Sequence, residues 1–135
     1  MKLTQETISQ INLFEKVTRA LVKDCYFEDD FLIFLIEEGN IQKAIGREGA
    51  NIRKLEGMFR KKIKILGFST DPVKFINNLL YPVRAESITI KDKTAEIKAK
   101  DNVTKGKIMG RSRTNLHRLK TLLKRYNGIE EIKVI

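Results

Sequence analysis

The sequence is poor in the residues that carry most chemistry: one cysteine, one histidine, two prolines and no tryptophan. A single cysteine excludes an intrachain disulfide, and Cys25 with His117 alone cannot assemble a zinc site from thiolate and imidazole. No metal and no cofactor is expected. Cys25 stands beside Tyr26 and Phe27 and reads as a small core residue in a reducing, cytoplasmic setting. No run approaches the roughly 18 apolar residues that cross a bilayer. The opening Met1-Lys2-Leu3-Thr4 also lacks the apolar stretch of a signal peptide. Acids are the other shortage. There are 17 Asp and Glu against 27 Lys and Arg, a net charge of +10, while 41% hydrophobic residues argue for a folded chain. Such an excess points to a polyanionic partner, with nucleic acid favoured over a membrane surface.

Catalytic constellations are missing too. The carboxylate pairs Asp29-Asp30, Glu37-Glu38 and Glu130-Glu131 fall at turns and strand ends, and no Ser, Cys or His stands in a nucleophile arrangement. The sequence reads as a binding protein, not an enzyme.

What is present is an internal repeat at an offset of 64 residues, aligning 43–55 with 107–119. Identities fall at Lys43/Lys107, Gly46/Gly110, Arg47/Arg111, Asn51/Asn115 and Leu55/Leu119, and apolar character agrees at Ile45/Met109 and Ile52/Leu116. The same order of elements surrounds each copy. Thr4 is placed to cap a helix with apolar positions Ile8, Ile11, Phe14, Val17 and Leu21. Strands are expected over 24–28 and 31–38, joined at Asp29-Asp30, then helices over 41–45 and 50–60 and a strand over 62–66. The second copy starts with Asp71-Pro72, a cap followed by proline at the first helical position, and stops at Tyr81-Pro82. Strands at 86–91 and 94–100, helices over 105–109 and from the loop to about 126, and a last strand from 129 complete it. The sequence thus predicts an α+β fold of two domains, 1–69 and 70–135, each α-β-β-α-α-β. The segment 31–36, Phe-Leu-Ile-Phe-Leu-Ile, is apolar on both faces. A strand of that kind needs cover on both sides, so the two domains are expected to pack as one rigid unit.

The stretch Ile45-Gly46-Arg47-Glu48-Gly49-Ala50-Asn51-Ile52 resembles the I-G-x-x-G-x-x-I signature of KH domains, and the element order resembles their type II arrangement. Two such units with little else resemble the archaeal NusA-like family. That resemblance implies single-stranded RNA binding to nascent transcripts in transcription elongation and termination, with RNA polymerase or the transcription complex as a further partner. A KH-type module in ribosome assembly or small-subunit RNA binding is the alternative. The physical reasons for the motif are independent of its name. Paired glycines free the backbone and let a sugar-phosphate chain approach, and a helix starting at the turn offers N–H groups to phosphate. KH loops clamp about four nucleotides in this way.

The RNA contacts that follow are Lys43, Ile45, Gly46, Arg47, Glu48, Gly49, Asn51, Arg53, Lys54 and Lys64 in the first copy, with Ile63 or Ile65 lining a base groove. In the second they are Lys107, Gly110, Arg111, Ser112, Arg113, Asn115 and Arg118. Residues 43–64 carry eight Lys and Arg against Glu48 and Glu56, and residues 105–125 carry eight and no acid. The second loop departs from the pattern, because Arg113 replaces the second glycine and adds a cation where close backbone approach is expected. A helix-turn-helix reading is disfavoured by the paired strands before each helix pair. A stacking platform of the RRM kind is disfavoured because only seven Phe and three Tyr are present, most of the Phe at core-like positions.

Overall fold

The computed structural model describes residues 4–28 and 30–135, and the chain forms two compact units, Met1–Phe68 and Ser69–Ile135. In the first, helix α1 (Gln5–Thr18) is followed by strands β1 (Val22–Glu28) and β2 (Phe31–Glu37), helices α2 (Ile41–Ile45) and α3 (Ala50–Phe59), and strand β3 (Lys62–Phe68). The sheet order is β1-β2-β3, with β1 antiparallel and β3 parallel to β2. The second unit repeats the plan with α4 (Pro72–Leu80), β4 (Ser87–Lys91), β5 (Thr94–Lys98), α5 (Asn102–Met109), α6 (Thr114–Asn127) and β6 (Glu131–Val134). Its sheet runs β4-β5-β6 with the same directions.

Helix starts follow local chemistry. Thr4 accepts the Thr7 amide at 3.1 Å while Thr7 Oγ1 accepts the Thr4 amide, closing a capping box. Asp71 accepts the amide of Val73 ahead of Pro72. Asp101 accepts the amide of Thr104, so α5 starts three residues before the expected Lys105. The first helix, by contrast, ends before Leu21. Arg19 turns left-handed at φ 61°, leaving Leu21 63% exposed outside the helix. The hairpin turn expected at Asp29-Asp30 lies partly outside the described residues at Asp29.

Leu32, Phe34 and Ile36 point to the helices and form the first core with Phe14, Ala20, Cys25, Ala44, Leu55 and Ile63. Phe14 stacks on Phe34 at 4.1 Å between ring centroids. Ile33 and Leu35, on alternate positions of the same strand, are also fully buried. Burial, with a smaller contribution from the Asp24 carboxylate, pushes the Cys25 thiol up to about 12, as suits a core residue rather than a nucleophile. In the second unit the alternation Ala95, Ile97 buried and Glu96, Lys98 exposed leaves one wet face on β5. The glycines Gly57 and Gly106 sit inside α3 and α5 with open space around an added Cβ. Gly57→Ala and Gly106→Ala should each stabilise the protein by about 0.5–1 kcal/mol in denaturant melts, because alanine restricts the unfolded chain at no steric cost.

Candidate nucleic-acid interface

Each unit places its glycine turn between two helices. Gly46 has φ 77°, ψ 171°, and is followed by left-handed Glu48 (φ 55°) and Gly49 (φ 74°). The conformation of Gly46 is one that only glycine adopts readily. A second reason is steric. A Cβ on Gly46 would lie 2.8 Å from the Asn51 side-chain carbon and 2.9 Å from its backbone nitrogen. Asn51 occupies that space because its Nδ2 donates to the carbonyl of Lys43 at 3.0 Å, tying the start of α3 back to α2 across the loop. Arg53 folds over the same loop and donates to the carbonyl of Glu48.

The second loop takes nearly the same backbone. Gly110 has φ 77°, ψ 167°, and Ser112 (φ 55°) and Arg113 (φ 61°) are left-handed. Asn115 Nδ2 donates to Lys107 at 3.2 Å, the counterpart of the Asn51 bond. The remaining bond differs: Thr114 Oγ1 donates to the carbonyl of Arg111 at 2.7 Å, where the first loop uses Arg53. Arginine in the left-handed region is strained by roughly 1 kcal/mol. Arg113→Gly should therefore raise the melting temperature of the protein, and its RNA titrations should show a shallower salt dependence for loss of one cation.

The first loop opens onto a groove of about 490 Å³ walled by Ile45, Gly49, Ile52, Arg53, Ile63 and Ile65, with Lys64 completing it. The floor is apolar and the rim cationic. Strand β3 is an edge strand beside this groove, with the Ile63 N–H donating to the Glu56 carboxylate at 3.0 Å. Helix α3 follows Gly49, which provides no side-chain cap, and its first amide, that of Ala50, donates to the Arg47 carbonyl within the loop. Together these supply apolar contact for a base, edge groups for hydrogen bonding and a positive site for phosphate.

Of the residues singled out from sequence, Ile45, Gly49, Arg53 and Lys64 are brought together on the groove, and Arg47 and Glu48 are exposed at the loop tip. Lys43 and Lys54 are exposed on α2 and α3 outside the groove lining. In the second unit Lys107, Arg111, Ser112 and Arg113 are exposed. Two expectations change. Asn51 and Asn115 each give one side-chain N–H to the loop, so they shape it in addition to any outward contact. Arg118 is only 8% exposed and sits among the packed residues of α6, removing it from the loop surface. The Thr114 bond was not foreseen. The Asn identities at 51 and 115 were the visible signal of a shared lock. His117 is exposed on α6.

Among the described residues, no group of His, Cys, Asp and Glu could hold a metal, and no helix is long and apolar enough to cross a membrane. The KH domain family matches residues 10–107, through the first loop and ending three residues before Gly110. A "Probable transcription termination protein NusA" of Methanocaldococcus jannaschii is 35% identical over all of this chain and 75% of its own length. The protein of that description from Methanococcus vannielii is 32% identical over all of this chain and 80% of its length. A solved structure, "Crystal structure of APE1850", superposes with a TM-score of 0.77 at 27% identity, covering 98% of this chain and 100% of that one. With the glycine turn, the helix pair and the α-β-β-α-α-β order in place, this chain belongs to the KH domain family.

Proposed function

We propose that the protein is a pair of type II KH units that binds single-stranded RNA in transcription elongation and termination. The observation that carries the reading is the first-unit groove, where an apolar floor of isoleucines meets a glycine loop, Arg53 and an edge strand. A duplex hides its base edges from so narrow an apolar site, whereas an unpaired strand can splay bases into it. Arg47 at the loop tip, beside the positive end of α3, supplies the phosphate contact. The role in transcription is supported by the archaeal relatives described as probable transcription termination proteins, and polymerase or its complex is the further partner of this reading.

Fluorescence titrations of single-stranded and duplex RNA of one sequence test the binding mode. Affinity for the single strand should exceed that for the duplex. With about four to eight phosphates neutralised, log K should fall against log salt with a slope of about −3 to −6. Equal affinity for the duplex, or a flat salt response, contradicts the proposal.

A further inference from the structure

The second unit holds a cavity of about 480 Å³ outside the loops. Its walls include Arg84, Lys100, Thr104 and Lys107, with Pro82 and Glu86. Three cations and one carboxylate line it, and Glu86 is itself paired with Lys98 at 3.9 Å. Lys100 and Lys107 both lie near enough to Asp101 to help hold its carboxyl below the usual range, after the larger effect of its hydrogen bonds from Thr104. Lys100 stands just before α5 and Lys107 in its last turn, and both line the cavity. The volume suits a ligand of nucleotide size. Lys107 also links the cavity to the loop, because its carbonyl receives the Asn115 amide.

We propose that this cavity is a phosphate-binding site, distinct from the first-unit groove, in which Arg84, Lys100 and Lys107 neutralise the anion while Thr104, hydrogen-bonded to Asp101, forms part of the wall. The phosphate is that of a bound RNA strand or of a free nucleotide. In the cavity lining three cations meet a single carboxylate, Glu86, with Asp101 alongside Lys100 and Lys107, and guanidinium with ammonium is a donor set that phosphate oxygens accept. Only the RNA source rests on the reading given above; the anion site stands on the cavity itself.

The test uses the full chain, isotopically labelled, with backbone amides followed as inorganic phosphate, a nucleoside 5′-monophosphate and single-stranded RNA are titrated in separately. The amides of Lys100 and Thr104 should shift. If all three probes move them, the site holds phosphate unaided. If RNA alone does, it is a contact along the strand, and both results support the site. The double variant Arg84→Gln, Lys100→Gln should bind RNA roughly tenfold more weakly at about 0.1 M salt, with a slope shallower by about 0.7–1.4. Should phosphate move Thr104 while RNA moves neither these amides nor those of 46–49, the RNA reading fails and the anion site survives. No shift at Lys100 and Thr104 with any probe overturns the proposal, and wild-type RNA affinity and slope in the double variant overturn RNA as the source of the phosphate.

Discussion

The double variant Arg47→Asp, Glu48→Asp should bind single-stranded RNA at least about thirtyfold more weakly than the wild type, close to 2 kcal/mol, while folding normally. Both side chains are exposed at the tip of the first loop, so no core contact is lost. Glu48 already has φ 55°, and aspartate tolerates the left-handed region better than glutamate does. The bond from Arg53 goes to the backbone carbonyl of residue 48, which survives the substitution. What changes is charge, since a guanidinium is replaced by a carboxylate beside the amides where phosphate is expected. The matching change in the second loop, Arg111→Gln with Arg113→Gln, removes cations without creating repulsion. It should cost less and appear mainly as a shallower salt slope. Titrations of both variants at two salt concentrations, with circular dichroism as the folding control, check the pair of expectations. A larger loss in the second-loop variant would reverse the assigned roles.

Gly46→Ala should have the larger structural effect. The added methyl group meets the Asn51 side chain and its backbone nitrogen at under 3 Å, and φ 77° with ψ 171° is closed to alanine. Asn51 cannot swing away without losing its bond to Lys43. The expected cost is about 2–4 kcal/mol of stability, with RNA binding lost through the rearranged loop. Gly110→Ala faces the same obstacle, with Asn115 side-chain atoms at 2.7 and 2.8 Å. Denaturant melts of both variants, set beside those of Gly57→Ala and Gly106→Ala, separate a glycine demanded by its loop from one merely tolerated in a helix.

The fold was largely legible because its boundaries are written in local chemistry. Asp71-Pro72 opens α4, and Ile41–Ile45 and the strand starting at Phe31 appear where periodicity placed them. Errors arose where periodicity ran past a backbone feature it cannot see. Leu21 fits a helical stripe, yet the left-handed turn at Arg19 ends α1 first. The start of α5 was hidden by Val103 and Thr104, β-branched residues that weaken a helical pattern, although Asp101 caps it. The glycine loop and the isoleucines of its groove were visible as a motif. The work of Asn51 was not, since a bond to a carbonyl eight residues earlier depends on how the turn closes. Arg118 shows the limit of counting charge. It belongs to a window free of acids, but a helix turns part of any such window inward, and this arginine lies on the packed side. The cavity of Arg84, Lys100 and Lys107 joins residues from three separated segments and had no signature in sequence.

The most direct test of the central claim is an amide and methyl chemical-shift titration of the full chain with a short single-stranded RNA. The account predicts that the largest perturbations fall on the amides of 46–49 and on the methyl groups of Ile45, Ile52, Ile63 and Ile65, which wall the first-unit groove. Strong binding that leaves those isoleucine methyls and loop amides unmoved would contradict it.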